Sequence, residues 1–341
     1  MTDDETNAPH RLEDLAALAG VSVSTVSRAL NNSSLVSERT KRNIFKLAQA
    51  HNYAGRLPLP AQPASAEKTI SVIIPPPQGR DTRLSDPFIL DLIGGIGDAL
   101  KERDVDLLIS HLTLTDIESA VDLVNSGRCD GLIVLGQSTM HQHLNELALR
   151  GVPFVAWGAH MPDQNYCSVG SDNFQGGKRA TRHLIRMGRK RIVFLGDTAG
   201  LESSQRFEGY KAALEEQGVA FDPSLVLPAH FFPESAMEAV DVLLEQDVSF
   251  DGLVAASDMI AIGAMRALSN AGIQVPGDVS VIGYDDVLVA GYSSPALTTI
   301  RQDVVKAGRL VVSKLLRILE GENVHSSRLP TDLIVRESCG S

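Results

Sequence analysis

Short apolar runs that alternate with segments of helical periodicity constrain the fold of residues 69–338 more than any other feature of the sequence. The runs are rich in Val, Ile and Leu without regular polar alternation, which predicts strands buried on both faces. Parallel strands flanked by helices have this pattern, so we predict an α/β fold. The predicted strands are 69–74, 105–110, 131–136, 152–157, 191–196, 224–229, 251–257 and 279–285, and predicted helices include 89–103, 117–126, 173–187, 204–217, 234–246 and 258–271.

The two comparable βα arrays in succession predict two lobes, each a parallel sheet flanked by helices. This pattern resembles the architecture of periplasmic sugar-binding proteins over essentially all of 69–338. The resemblance implies that the last strand and long helix return to the first lobe. We therefore expect the effector-binding and dimerisation core to comprise lobe 1, about 69–168 plus 298–322, and lobe 2, about 169–296 plus 328–338.

A different pattern occupies the stretch from Leu12 to Asn31, where the spacing predicts two short helices joined at Gly20. Ser22 is a suitable N-cap for the second helix, because its hydroxyl can accept from a free backbone amide. Spacing alone fits both an ordinary helical hairpin and a helix that enters a DNA major groove. The inward positions of the second helix are Val26, Ala29 and Leu30, and the outward ones are Val23, Ser24, Ser27 and Arg28.

A third predicted helix and the distribution of charge favour the DNA-binding alternative. The third helix follows Ser37, and three helices of this size make a minimal core. Residues 11–56 carry a net charge of +4, whereas the whole chain carries −11 and residues 57–341 carry −12. We predict that residues 1–10, with Asp3, Asp4 and Glu5, form a disordered acidic tail. A basic head on an acidic body is typical of a protein that meets DNA through the head alone.

The run LAGVSVSTVSRALN, followed by VSERTKRNIFKLAQAHNY, resembles the DNA-binding head of the lactose-repressor (LacI/GalR) family of bacterial transcriptional regulators. The resemblance implies that residues 11–56 are a three-helix helix-turn-helix DNA-binding domain. It also implies that Val23, Ser24 and Arg28 read bases, while Ser22, Ser27 and Asn31 contact or support the phosphate backbone.

A proline-rich linker is predicted at residues 57–68, LPLPAQPASAEK. In the family, this segment folds on DNA into a hinge helix that wedges a leucine into the minor groove. Pro58, Pro60 and Pro63 lack amide donors and oppose such a helix, so we favour a semi-rigid polyproline spacer. Leu57 or Leu59 reaching the groove from an extended backbone is the alternative.

Candidate effector contacts come from the ends of the predicted strands, because ligands of open α/β sheets bind outside the carboxyl ends of the strands. Asp285 can accept from neighbouring hydroxyls, and the family resemblance adds Arg206 and Gln302 to the same cleft. Aromatic faces suit a sugar ring, although core packing is an equal alternative for Phe88 and Trp157. Asp258 is expected to cap the helix that follows it. The proposed effector-binding residues are Phe88, Trp157, Arg206, Phe231, Ser257, Asp285 and Gln302.

Several classes of protein are disfavoured by the sequence. No apolar run approaches the ~20 residues of a membrane span, and the acidic N-terminus lacks the apolar region of a signal peptide. Three cysteines without CxxC spacing suit a reducing cytoplasm. No nucleotide-binding, metal-ligand or hydrolase motif occurs, so we predict no enzyme activity, no catalytic residues, no metal and no cofactor.

We therefore predict a cytoplasmic, homodimeric repressor of carbohydrate-metabolism genes. Each head would bind one half-site of a near-palindromic operator in double-stranded DNA, and a small sugar-like effector in the cleft would control the affinity. The alternative is a solute-binding protein without a transcriptional role, which the basic head and the missing signal peptide oppose. A sugar, a nucleobase or a phosphorylated metabolite would each fit the cleft residues, and the choice between inducer and co-repressor stays open.

Overall fold

The computed structural model describes residues 12–30, 33, 35–50, 68–74, 85–110, 112, 117–137, 140–246 and 248–340. The chain divides into two compact units, the first ending at Glu67 and the second beginning at Lys68. The predicted acidic tail lies outside the described residues, as does the predicted linker apart from Lys68. No helix in the described ranges combines the length and the apolar character needed to cross a membrane.

The described part of the first unit forms three helices, as the sequence predicts. Gly20 ends the first helix at a φ of +64°, a conformation that costs glycine little. The second and third helices begin after hydroxyl caps: Ser22 accepts from the amide of Thr25 (3.1 Å) and Ser37 from that of Thr40 (3.2 Å). The helices are α1 (Leu12–Ala19), α2 (Val23–Leu30) and α3 (Glu38–Ala50), and their common core includes Leu15, Val26, Ala29, Ile44 and Ala48.

The first lobe of the second unit is a parallel sheet in the order β11-β5-β4-β3-β1-β2. The apolar residues of α4 and α11 pack on one face of this sheet, and those of α5 and α6 pack on the other. Its elements are β1 (Thr69–Ile73), α4 (Pro87–Lys101), β2 (Asp106–Ser110), α5 (Ile117–Asn125), β3 (Gly131–Leu135), α6 (His141–Leu149), β4 (Phe154–Trp157), β5 (Cys167–Ser171), α11 (Val304–Leu319) and β11 (Ser327–Leu329).

The second lobe repeats the design, with the strand order β12-β10-β9-β8-β6-β7. The strands are parallel except at one edge, where β12 runs antiparallel to β10. One large apolar core joins this sheet to its helices. The elements are α7 (Asn173–Arg186), β6 (Ile192–Leu195), α8 (Leu201–Glu216), β7 (Val226–Leu227), α9 (Pro233–Glu245), β8 (Gly252–Ala255), α10 (Asp258–Asn270), β9 (Ser280–Asp285), β10 (Thr298–Arg301) and β12 (Asp332–Ile334).

The pairing of strands corrects the predicted lobe boundaries. The sequence predicts the strand at 298–301 in the first lobe, but it pairs with β9 in the second sheet, so only the helix that follows it returns to the first lobe. Residues 169–171 and 328–329 are predicted in the second lobe, but both belong to the first sheet, where β5 pairs with β4 and β11 pairs with β5. The chain therefore passes between the lobes three times, after β5, β10 and β11, because each sheet takes a late strand from the C-terminal region.

The strand β5 was absent from the prediction. Its sequence, CSVGS, is small and polar, yet all five residues are buried between neighbouring strands. The predicted strand 224–229 is shorter than expected, because Pro223–Leu225 forms a 3-10 turn and Pro228 has no amide for the sheet ladder.

Candidate functional site

The outer face of α2 presents small polar side chains and one cation. Val23 is 38% exposed, and Ser24 and Arg28 are also exposed, while Val26, Ala29 and Leu30 are buried against α1 and α3. The side of α2 that the sequence predicts for base contacts is therefore free within its own unit. A short, uncharged face that ends in an arginine has the size and chemistry to enter the major groove of DNA.

The serines of α2 are partly engaged in local hydrogen bonds. The Ser22 hydroxyl caps the helix and also lies 2.8 Å from the Ser24 hydroxyl and 2.7 Å from that of Thr25. Ser27 is partly buried. Asn31, the remaining residue predicted for the phosphate backbone, lies outside the described residues.

In the second unit, close packing of two helices positions Arg206, a cation predicted to bind the effector. A Cβ at Gly177 would lie 2.0 Å from the carbonyl oxygen of Arg206, and one at Gly209 would lie 2.1 Å from that of Phe174. Only glycine allows α7 and α8 to approach at these two points. Because Gly209 lies three residues after Arg206, the contact fixes the turn of α8 that carries the arginine.

Arg206 is buried, and its guanidinium contacts four residues. Its Nε donates to Asn173 Oδ1 (2.8 Å), and its Nη1 donates to the carbonyl oxygen of Ala256 and lies 3.9 Å from Asp285 Oδ1. The guanidinium also lies 3.7 Å from the centroid of the Tyr284 ring. Partners on four sides hold Arg206 in a single position beside Asp285.

Asp285 ends β9 and points toward the same group of side chains. Gln302 Nε2 donates to its Oδ1 at 2.6 Å, and both side chains are buried. The structure thus brings together Arg206, Asp285 and Gln302, three of the residues predicted to bind the effector.

The backbone at this strand end is strained and held from several directions. Asp285 has a φ of +116° and Asp286 a φ of +62°, both in a region that non-glycine residues seldom adopt. Arg336 Nη2 binds Asp286 Oδ1 at 2.6 Å, and the next amide, of Val287, donates to Asp258 Oδ2 at 2.9 Å. Strain that its surroundings maintain in this way is typical of functional sites.

The predicted capping role of Asp258 is wrong. The cap of α10 is Ser257, whose hydroxyl accepts from the amide of Ile260 at 3.2 Å. Asp258 is fully buried and instead accepts from the Thr299 hydroxyl (2.5 Å) and from Val287. Asp258 therefore supports the backbone that positions Asp285, and the Ser257 hydroxyl is already engaged as a cap.

Loss of solvation raises the pKa of three carboxyl groups in this region, those of the buried Asp258 and Asp285 and of the partly buried Asp86. Burial raises the pKa of Asp258 to about 7. Burial also raises the pKa of Asp285 well above its usual range; the positive charge of Arg206 opposes this, and the negative charges of Asp258 and Asp86 add to it. The pKa of Asp86 is raised by burial as well. A ligand hydroxyl that donates to such a carboxylate replaces solvation that burial has removed.

The predicted aromatic residues differ in their surroundings. The rings of Phe88 and Trp157 lie 6.3 Å apart, centroid to centroid. Phe88 is partly buried and packs against the cores of both lobes, whereas Trp157 is 7% exposed and belongs to the first lobe's core. Phe231 is 41% exposed, in the segment before α9, so it lacks the core packing of the other two rings.

Sequence reasoning missed Asn173, Gln137 and Glu202. Asn173 holds Arg206, and it was missed because β5, the strand before it, was not recognised. Gln137 follows β3 by two residues. It could have been selected by the rule that ligands bind beyond the carboxyl ends of parallel strands. Glu202 lies in the first turn of α8, where its Oε1 accepts from the Ala159 amide of the other lobe at 3.3 Å.

Comparison with protein families assigns both units. A model described as bacterial regulatory proteins, lacI family, matches residues 11–55. A periplasmic binding protein-like domain matches residues 181–339. The HTH-type transcriptional regulator CelR of Thermobifida fusca is 32% identical over 340 residues, which cover 96% of this chain and 97% of that protein.

Two further matches extend over nearly the whole chain. The HTH-type transcriptional repressor PurR of Haemophilus influenzae (strain PittEE) is 30% identical over 342 residues, which cover 97% of this chain and 98% of that protein. A solved structure described as a transcriptional regulator CelR–cellobiose complex is 30% identical with a TM-score of 0.69 and covers 96% of this chain and 99% of that chain.

Proposed function

Because this chain belongs to the lacI family of bacterial regulatory proteins, we propose that it is a transcriptional repressor whose affinity for operator DNA is set by a sugar-like effector. The observation that carries the proposal is the presence, in one chain, of a matched lacI-family head and a two-lobed core with a buried Arg206–Asp285–Gln302 group. Relatives with the same extent are named as transcriptional regulators or repressors.

We propose that the head reads DNA through α2. Val23, Ser24 and Arg28 would contact base edges, while Ser22, Ser27 and Asn31 would contact or support phosphates. An arginine can donate two hydrogen bonds to guanine O6 and N7, so Arg28 is the residue with the greatest capacity for discrimination. Two heads, one from each subunit of a homodimer, would match a near-palindromic operator.

The effector would bind in the cleft between the lobes, near the buried polar group. Asp285 would accept from hydroxyls of the effector, and Arg206 and Gln302 would hold that carboxylate in place. Three chain segments connect the lobes. An effector that binds one arrangement of the lobes more tightly than another shifts the dimer toward the favoured arrangement. The change in geometry would alter how the two heads fit the operator. The CelR relative is described in complex with cellobiose, which supports a sugar as effector.

Binding, with no chemical conversion of the effector, is the activity we propose. Arg206 and Asp285 are locked to each other and to their neighbours, an arrangement suited to holding hydroxyls. A protein that binds operator DNA works where the chromosome lies, so we propose a cytoplasmic location. The alternative function, a solute-binding protein without a transcriptional role, leaves the exposed face of α2 without a purpose.

The test selects operator sequences from a double-stranded DNA library with the full-length protein and then titrates the best sequence in gel shifts. We expect a two-fold symmetric consensus, and at least one sugar that changes the affinity for it. The solute-binding alternative predicts that a sugar binds while no DNA sequence is enriched. That result would contradict the proposed function.

A further inference from the structure

Gln137 has a buried polar side chain that finds no hydrogen-bond partner among the described residues. It lies just beyond the carboxyl end of β3, is 1% exposed, and neither its Oε1 nor its Nε2 has a hydrogen bond to any described residue. Buried amides almost always have partners, since an unpaired one loses its hydration without compensation. A buried primary amide with unused hydrogen-bonding atoms at the end of a strand is suited to binding a ligand.

Glu202, from the second lobe, reaches the same place. A Cβ on Gly158 would lie 2.9 Å from Gln137 Cγ, 3.0 Å from Gln137 Cδ and 3.0 Å from Glu202 Oε1. The amide of one lobe and the carboxylate of the other therefore converge over Gly158, in space that any side chain at this position would take. No ion pair joins Glu202 to another residue in the described part of the chain.

A pocket of about 280 Å³ adjoins this position. Gly158 is part of its wall, and the remaining wall includes Ser171, Gln205, Ser326 and Arg328. The wall takes residues from both lobes, because Gln205 belongs to α8 and the others to the first lobe and its late strand. A molecule in this pocket would thus contact both lobes next to Gln137 and Glu202.

The two groups together select a hydroxyl. A hydroxyl can donate to the Glu202 carboxylate and at the same time accept from the Gln137 amide, whereas a phosphate or carboxylate oxygen that is fully ionised cannot donate. Nearby cations already face carboxylates: Arg206 lies 3.9 Å from Asp285, and Arg328 lies 3.9 Å from Asp172. Arg328 lies in the wall of the pocket and is 60% exposed, but Asp172 offsets its charge, so an anionic ligand beside Gln137 would still meet the negative charge of Glu202.

We propose that Gln137 and Glu202 form a second polar contact region of the cleft, which binds a hydroxyl of an uncharged sugar and rejects phosphorylated or carboxylated sugars. This inference rests on the proposed function, because it narrows the class of effector that the regulator senses. It separates a neutral sugar from the phosphorylated metabolite that the sequence alone leaves open.

The experiment compares pairs of ligands that differ by one phosphate. Glucose and glucose 6-phosphate, ribose and ribose 5-phosphate, and cellobiose and its 6-phosphate are titrated into the full-length protein. Binding is followed by calorimetry and by the fluorescence of Trp157, the single tryptophan of the sequence. We expect at least one neutral sugar to bind. Its phosphate should have an affinity lower by a factor of about ten or more, because like charges at close range repel each other.

Two variants test the assigned groups, and a third is the control. Glu202→Gln keeps the shape but removes the charge, so it should weaken binding of the neutral sugar and reduce the discrimination against its phosphate. Gln137→Met should lower the affinity about tenfold while leaving the thermal midpoint unchanged or higher, since it removes an unpartnered buried amide. Glu208→Gln, on the outer side of the same helix and paired with Lys211, should change neither property.

A phosphorylated sugar that binds as tightly as its neutral partner would overturn the inference. So would unchanged affinities in Glu202→Gln, or a lowered midpoint without loss of affinity in Gln137→Met, which would indicate a purely structural role. Absence of binding by every neutral sugar would also overturn it. If operator binding persists in that case, the DNA-binding part of the proposed function stands, so the two failures are distinguishable.

Discussion

Replacing Gly209 by alanine tests the link between helix packing and the cleft. The added Cβ would lie 2.1 Å from the carbonyl oxygen of Phe174 and 2.7 Å from the amide nitrogen of Lys178. Both are backbone atoms of α7, so neither can rotate away as a side chain would. Relief of the contact requires α8 to move away from α7 by more than 1 Å, since ordinary contacts of this kind begin near 3.4 Å.

The expected change in the free energy of unfolding combines two opposing contributions. Overpacking of this kind costs about 1–3 kcal/mol, whereas alanine in place of glycine within a helix contributes about 0.5–1 kcal/mol of stability. Gly94→Ala isolates the second term, because Gly94 is exposed in α4 and an added Cβ has no neighbour within 4 Å. We expect Gly94→Ala to raise the free energy of unfolding and Gly209→Ala to lower it by about 1–2 kcal/mol.

The displacement should also reach the effector site. Arg206 lies three residues before Gly209, and its bonds to Asn173 and Ala256 depend on the position of α8. A hydrogen bond to a charged group contributes about 1.5–3 kcal/mol, so loss of one such bond would lower effector affinity about tenfold or more.

Urea unfolding followed by circular dichroism measures the stability of the two variants, and calorimetry measures the affinity for an identified sugar. Equal stability of Gly209→Ala and Gly94→Ala would contradict the predicted clash between α8 and α7. Wild-type affinity in Gly209→Ala would likewise show that Gly209 does not set the position of Arg206.

Three further predictions concern the head, the cleft and pH. Arg28→Ala should reduce discrimination between operator and non-operator DNA by about 1–3 kcal/mol in gel-shift titrations, whereas Arg186→Ala, an exposed arginine of α7, should have no effect. Asp285→Ala should abolish the response to effector while operator binding persists; a native response in gel shifts would contradict the cleft assignment. Asp258 has a pKa near 3.8 when unfolded and about 7 when folded, so it binds more protons in the folded state and its contribution to stability falls as pH rises between these values. Asp258→Asn should therefore gain stability relative to wild type as the pH rises from about 4 to about 7 in urea unfolding, and a constant difference would contradict the raised pKa.

The order of elements could be predicted from the sequence to a large extent. Runs such as TISVI and GLIVL are apolar throughout, because both faces of a parallel sheet are covered, and this pattern needs no knowledge of partners. The helix caps Ser22 and Ser37 could also be predicted from the sequence, since a cap acts on amides two or three residues away. The family resemblance added Arg206 and Gln302 to the predicted effector-binding set.

Other features could not be predicted in the same way. The strand β5 consists of small and polar residues, and its burial arises from the neighbouring strands β4 and β11, the second of which comes more than 150 residues later. Asp258 was misassigned because its partners Thr299 and Val287 lie far along the chain, while the nearer Ser257 serves as the cap. Local propensity has no access to such contacts.

The sequence by itself determined the kinds of unit and their order: a basic three-helix head followed by two βα arrays. These depend on periodicity, capping and charge, which act over one or two helical turns. Only the tertiary structure decided which lobe receives each late strand, how glycines bring α7 against α8, and that Gln137 and Glu202 converge over Gly158. These features depend on contacts between segments that are distant in the sequence, where a single Cβ or an unpaired amide decides whether the segments can pack. Local sequence patterns therefore do not predict them.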